Sequence, residues 1–265
     1  KNLYVLGSTN TIASDEYLCN GGGTPSLLTN ISLTSNTTYT IKWQNSINGF
    51  SWSDIASSNL PTYQPPYISV TTHYRRIVTT DLLGCISTSN SVKKEVLPVL
   101  NGGTITGTQT VCYDNIPQPL YNSYSPSGGT GTGYTYVWQM SLNNINWSYI
   151  NQSNNISYNP SFIIGTVYYR RKVMDINCGE AFSNTVTVVC YQKVNPAVIG
   201  SSQNICYNTQ PSVLNVSTNP YGGSGLFTNN WQISTNGINF SNIPSATGNS
   251  YLPPSLLTNT WYRMV

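Results

Sequence analysis

The residues of this 265-residue chain with the most chemistry in them are its six cysteines, and their spacing is regular. Cys19 and Cys85 lie 66 residues apart, and so do Cys112 and Cys178. Thiols so placed either ligate a metal or form disulfides. The metal reading lacks a Cys-x-x-Cys pair, and the one histidine, His73, is far in sequence from any second ligand. The regularity therefore selects one bridge per span, Cys19–Cys85 and Cys112–Cys178, with Cys206 paired to a cysteine expected about 66 residues further on. Each bridge would close a long loop, contributing about 4 kcal/mol in the chain-entropy model, and would imply an oxidising compartment. Cys190 stands apart. It reads as a small apolar residue at a strand end, the sharper alternative being a bond to Cys206.

Catalytic chemistry has little else to use. Eight carboxylates are scattered, and only Asp15 and Glu16 are adjacent, which places them on opposite faces of a strand. No nucleophile elbow, phosphate loop or calcium loop is present. The reading is of no catalytic residue, no cofactor and no metal. Charged residues make up 7% of the chain, against about 25% in ordinary soluble domains. The basic runs, Lys93-Lys94 and Arg170-Arg171-Lys172, are too short for a nucleic-acid footprint. No apolar run approaches the roughly 20 residues that span a bilayer. Seven Asn-x-Ser/Thr sequons occur, but a chain with 33 Asn and 64 Ser or Thr produces about that many by chance.

The elements that must position these residues recur with a fixed period. Trp43-Gln44-Asn45-Ser46, Trp138-Gln139-Met140-Ser141 and Trp231-Gln232-Ile233-Ser234 are 95 and 93 residues apart. A second aromatic follows each after nine residues, at Trp52, Trp147 and Phe240. A basic aromatic strand follows in turn: His73-Tyr74-Arg75-Arg76, Tyr168-Tyr169-Arg170-Arg171, Trp261-Tyr262-Arg263-Met264. Within the middle copy, Tyr134, Tyr136, Trp138 and Met140 alternate with smaller residues, the period of a strand with one buried face. Asn48-Gly49 and Asn236-Gly237 mark hairpin turns. About seven short strands per copy and no helical pattern predict an antiparallel sandwich, with Trp43 and Trp138 between the sheets. The expected division is a tail of a preceding copy at 1–10, then repeats at 11–99, 100–196 and 197–265. The third copy is expected to lack its closing cysteine and last strand, which makes the chain read as a piece of something longer. Short proline-containing linkers, Val96-Leu97-Pro98-Val99 and Lys193-Val194-Asn195-Pro196, predict a rod-like array.

Recurrence is an internal control, because residues that return in every copy belong to the scaffold. It assigns Trp52, Trp147 and Phe240 to packing and places His73 in an aromatic slot. It sets Arg75, Arg170 and Arg263 against neighbouring aromatics or backbone carbonyls. The non-recurring tyrosines Tyr121, Tyr124 and Tyr134, near the glycine-rich bend Gly128–Gly133, remain as candidate ligand contacts.

The combination of Cys-Tyr-(Asp/Asn), a Gly-Gly bend, Trp-Gln-x-Ser-x-Asn, Tyr-x-Pro, (Tyr/Trp)-Tyr-Arg and Ser-Asn-(Thr/Ser)-Val resembles the Ig-like/PKD-like repeats of Bacteroidetes surface proteins. The resemblance runs from Ile12 to Val265. It departs from antibody domains in its cysteines, since Cys85 and Cys178 follow the strand that would carry the second antibody cysteine. The Asn-, Ile-, Ser- and Tyr-rich composition suits an AT-rich flavobacterial genome. The resemblance implies an all-β chain of immunoglobulin-like sandwich repeats of about 94 residues. It further implies a segment of a large extracellular adhesin, exported by type IX secretion and serving attachment or gliding motility. Implied partners are surface polysaccharides or solid substrata, neighbouring repeats of the same chain, and other cell-surface or secretion-system proteins. The alternatives are an array of carbohydrate-binding modules, or a passive stalk of a secreted polysaccharide-degrading enzyme.

Overall fold

The computed structural model describes residues 9–33, 38–81 and 84–265. The first eight positions of the tail expected at 1–10 lie outside them. By backbone contacts the chain divides into two compact units. One comprises Lys1–Thr106, Leu120–Tyr158 and Tyr169–Val186, the other Gly107–Pro119, Asn159–Tyr168 and Thr187–Val265. Every described element is β.

The first unit contains a complete repeat. Its strands are β1 (Asn10–Ile12), β2 (Glu16–Leu18), β3 (Asn30–Leu33), β4 (Tyr39–Ser46), β5 (Ser53–Asp54), β6 (Thr72–Thr80), β7 (Ile86–Thr88) and β8 (Val92–Val96). One sheet has the order β2-β8-β6-β4-β5, with β7 pairing β6; β1 and β3 form the other layer. The strand β6, Thr-His-Tyr-Arg-Arg-Ile-Val-Thr-Thr, alternates buried and half-buried side chains along all nine residues, as a sheet with one covered face requires. Ile12, Leu28, Trp43, Tyr74 and Val92 form the core between the layers. Trp43 is fully buried, and its indole N–H donates to the Leu60 carbonyl at 2.9 Å, which satisfies its one polar atom. Tyr63 bridges the rings of Trp43 and Tyr74 at 5.8 and 6.1 Å.

The strands of the second repeat are β9 (Thr104–Thr106), β10 (Gln109–Val111), β11 (Tyr121–Tyr124), β12 (Thr135–Ser141), β13 (Ser148–Tyr149), β14 (Thr166–Asp175), β15 (Gly179–Phe182) and β16 (Val186–Cys190). Pairings of the first repeat recur in it. Gln139 faces Tyr149 as Gln44 faces Asp54, and Val111 faces Cys190 as Leu18 faces Val96. In the third repeat, which lies in the second unit, Trp231–Ser234 pairs with Ser241–Asn242 and with Trp261–Met264.

The sandwich departs from the expected antiparallel pattern in one place. The opening segment is two strands, and the second of them, β2 or β10, runs parallel to the closing strand β8 or β16. In the second repeat Gly107, at φ +130°, stands in the break between β9 and β10. On the closing side, Ser183–Thr185 lies between β15, which ends at Phe182, and β16, which begins at Val186.

The disulfide pairing differs from expectation. Cys19 is bonded to Cys178, and Cys85, Cys112, Cys190 and Cys206 are free. Cys19–Cys85 is excluded by geometry. Cys19 follows Leu18, which faces Val96, and two residues earlier Lys94 faces Thr72 at the start of β6. Cys85 sits at the other end of that strand, where its N–H donates to Thr80 Oγ1 and its carbonyl accepts from Thr80 N. The length of β6 separates them by roughly 26 Å, whereas a disulfide needs Cα atoms within about 7 Å. Cys112–Cys178 is excluded because Cys178 is already taken. The alternative bond from Cys190 to Cys206 is absent as well. Cys190 is a buried thiol whose Sγ donates to the Tyr191 carbonyl at 3.4 Å.

Candidate functional site

The most elaborated constellation in the first unit is where the first repeat hands over to the second. Leu97 N donates to Leu18 O, and Gly21 N to Leu97 O, so the linker leaves the first sandwich beside Cys19. Four residues on, Asn101 and Ser127 exchange both backbone hydrogen bonds, and Gly129 N donates to Pro98 O at 2.9 Å. The linker is thus paired along the Gly-Gly bend of the next repeat. Gly128 has φ +82°, and a Cβ there would lie 1.9 Å from the Val99 carbonyl oxygen. Only glycine lets the two backbones approach so closely.

Asp175, at the end of β14 and 5% exposed, organises the other half of the junction. Its Oδ2 accepts from Thr130 N at 3.0 Å and Thr130 Oγ1 at 2.5 Å. Its Oδ1 accepts from Asn177 N and Cys178 N at 3.0 and 2.8 Å. Burial by itself raises the carboxyl pKa; the bonds from Thr130, Cys178 and Asn177 outweigh it and bring the value down to about 2. One carboxylate therefore ties the glycine bend to the turn that presents Cys178. In the first repeat Thr80 Oγ1 performs the same service for the turn of Cys85.

The three candidate tyrosines separate. Tyr121 and Tyr124 lie at the two ends of β11 and are exposed. Tyr134 belongs to the junction: its hydroxyl donates to Gly128 O at 2.6 Å. Burial, and then the charges of Asp175 and Tyr136, push its pKa up.

The recurring motif is consumed inside each repeat. The Gln of Trp-Gln-x-Ser accepts from the strand arginine at 2.7 Å in all three copies, Gln44 from Arg75, Gln139 from Arg170 and Gln232 from Arg263. Each arginine lies over the second aromatic, Trp52, Trp147 or Phe240, at 4.1–4.2 Å. Ser46 Oγ and Asn48 Oδ1 accept the backbone N–H groups of the hairpin turn, and His73 lies under that turn, against Gly49.

Two features escaped the sequence reading. The neighbouring arginines, Arg76 and Arg171, are completely buried, and among the described residues neither forms an ion pair with a carboxylate. Arg76 donates to Asn10 Oδ1, Pro61 O and Asn30 Oδ1. Arg171 donates to Asn122 Oδ1, Ile156 O and Gly102 O, but among the described residues its Nε has no partner. The repeat register explains this, because Gly103 stands where Asn10 stands in the first copy. Burial lowers the pKa of both guanidiniums, against the opposing influence of Tyr39 and Tyr136. The doubled Arg-Arg was visible in the sequence, but Met264 in the third copy hid its importance. The second feature is an apolar residue at each turn tip, Phe50, Ile145 and Ile238, at 89, 77 and 80% exposure. Their shared place after the turn was the signal. Among the described residues, no group of three or more His, Cys, Asp or Glu side chains could hold a metal ion.

A family model described as a domain of unknown function, DUF8696, matches three times, over residues 8–98, 101–192 and 195–265. The chain belongs to this family. In these DUF8696 copies the linker lies where one match gives way to the next. No curated protein sequence matches the chain. Among solved structures it is similar to the three N-terminal domains of the bacteriophage RB49 highly immunogenic outer capsid protein (Hoc). That likeness has 14% identity and TM-score 0.36, over 97% of this chain and 86% of that one. It is also similar to Sidekick-1 immunoglobulin domains 1–5 (10% identity, TM-score 0.34, 94% of this chain), of which it spans about half the length, 52%. A third likeness is to fibronectin(III)-like modules of Clostridium thermocellum CbhA (12% identity, TM-score 0.31, 69% of this chain and 94% of that one).

Proposed function

We propose that these tandem DUF8696 repeats are a segment of a large extracellular bacterial adhesin, which they extend from the cell or build into a surface filament. The Cys19–Cys178 bond carries this reading, because it joins two successive repeats covalently across a paired linker. An enzyme core has no use for such a joint, whereas a projecting array needs continuity between its domains. The bond also supports an oxidising location outside the cytoplasm. The exposed apolar tips Phe50, Ile145 and Ile238 add one weak contact per repeat, and weak contacts in series give avidity without a strong single site. A Bacteroidetes source, type IX export and a part in gliding complete the reading.

The test is to label intact producing cells with antibody to residues 1–265 and score attachment and gliding with monovalent antibody present. Surface labelling with reduced attachment is expected; a protein confined to the cell interior refutes the reading. A second reading, direct polysaccharide binding, is favoured by the exposure of Tyr121 and Tyr124. It predicts retention of the chain on surface polysaccharide, lost in Tyr121→Ala/Tyr124→Ala. A chain that is neither adhesive nor retained would fit a passive stalk.

A further inference from the structure

We propose that the Cys19–Cys178 bond is one rung of a ladder, in which the opening cysteine of each repeat bonds the cysteine after the basic aromatic strand of the next. The separation of 159 residues is one 66-residue span within a repeat plus one 93-residue step between repeats. Applied to the second and third repeats, the rule assigns Cys112 to the third repeat's closing cysteine. It assigns Cys85 to the opening cysteine of a repeat placed before the first, and Cys206 to the closing cysteine of one placed after the third. These three are the exposed free thiols, while Cys190, which the rule leaves out, is buried. The rule is independent of what the array binds.

The second unit supplies the independent observation. Cys112 directly follows Val111, which faces Cys190 in the parallel register that Leu18 makes with Val96. Tyr191 N donates to Val111 O as Leu97 N does to Leu18 O, so Cys112 stands at the exit of its sandwich as Cys19 does. The linker that follows pairs with the next repeat's glycine bend, Gln192 facing Gly223 and Asn195 facing Tyr221. A Cβ on Gly222 would lie 2.0 Å from Lys193 O, matching 1.9 Å at Gly128 and Val99 O. The second junction thus reproduces the backbone of the first, and places Cys112 where Cys19 makes its bond.

Each rung forms by thiol–disulfide exchange with a small-molecule or protein disulfide. The opening thiolate attacks one sulfur of the oxidant and releases a thiolate. The closing thiolate then attacks the resulting mixed disulfide at the opening sulfur and releases the second. Two cysteine thiols and one oxidant disulfide become one protein disulfide and two oxidant thiols, which take the two protons.

The first test uses the chain as it is, refolded in a reduced/oxidised glutathione buffer, alkylated, and mapped by non-reducing peptide mass spectrometry. The expected result is a single Cys19–Cys178 bond with Cys85, Cys112 and Cys206 alkylated. Cys19–Cys85, Cys112–Cys178 or Cys112–Cys190 would overturn the rule. The second test grafts a copy of residues 172–192 after Met264, which supplies the third repeat with a closing cysteine. The ladder requires a second bond, from Cys112 to the grafted copy of Cys178, with Cys206 still alkylated. A bond from Cys206 to the graft, or a graft folded with Cys112 still alkylated, refutes it. If the graft does not fold, the map of the unaltered chain decides.

Discussion

Replacing Asp175 by asparagine tests the junction where it rests on a single charge. The folded carboxyl has a pKa of about 2, against an ordinary 3.8. At about 1.4 kcal/mol per pH unit, its ionised form stabilises the fold by about 2 kcal/mol. Because the folded value is depressed, that contribution is complete above about pH 4 and is lost as the pH falls towards 2. Asparagine keeps one oxygen for the amides of Asn177 and Cys178, but it turns an N–H₂ toward the backbone N–H of Thr130, setting donor against donor there. Hydrogen exchange read by mass spectrometry on peptides covering Ser127–Gly133 and Met174–Gly179 isolates the effect. With the disulfide intact, D175N should lower protection there about 30-fold at pH 6, shrinking to about two-fold at pH 2. Two other carboxylates with lowered pKa values, Glu16 and Asp54, lie in the first repeat, outside these peptides. Unchanged protection at pH 6 would refute the argument. So would a gap of equal size at pH 2, which would mean that lost shape, not lost charge, is responsible.

Arg76→Met should destabilise its repeat by about 1–2 kcal/mol more than Arg171→Met, because Arg171 already leaves its Nε unpartnered. Repeat-resolved hydrogen exchange around Trp43 and Trp138 measures the difference, and equal losses would contradict it. Gly128→Ala puts a methyl group into the Val99 carbonyl at φ +82°. It should open the linker at a cost of about 2–4 kcal/mol, seen as faster limited proteolysis across residues 97–101 while Cys19–Cys178 stays formed; an unaltered cleavage rate would count against the junction as described. Trp52→Ala should lower stability by about 1 kcal/mol and Trp147→Ala by less, since Arg75 lies over Trp52, whereas Arg170 also has Phe182 at 4.1 Å. Thermal melts ranking the two the other way would remove that assignment.

Much of the fold was legible because it is written three times. The period located the core tryptophans, the hairpin turns and the sandwich class, and recurrence separated scaffold from candidate sites. The same period concealed the disulfide. Two cysteine series that share one repeat step fit a bond within a repeat and a bond to the next repeat equally well, and only the position of Cys19 and Cys85 at opposite ends of β6 separates them. The role of Asp175 left no trace in the sequence, because Thr80 makes the equivalent contact through a hydroxyl. Tyr134 looked free because it does not recur, whereas its hydroxyl closes the Gly128 bend. The parallel pairing of β2 with β8 was also hidden, since alternation along a strand carries no information about the direction of its neighbour.

The Cys19–Cys178 bond also decides how the chain carries a pull. Tension entering near the first described residues reaches Cys19, crosses the sulfur bridge to Cys178, and continues toward the third repeat. Everything between the two cysteines lies on a loop outside the load path, including Trp43 and Trp138, while β1 and β2 before Cys19 and β15 and β16 after Cys178 stay on it. Stretched to rupture, the intact chain cannot pay out that loop, while the reduced chain gains roughly 540 Å of contour length from its 159-residue span. A single covalent bond thus takes most of two extensible domains out of the line of force and leaves their slack to be released only by a reductant.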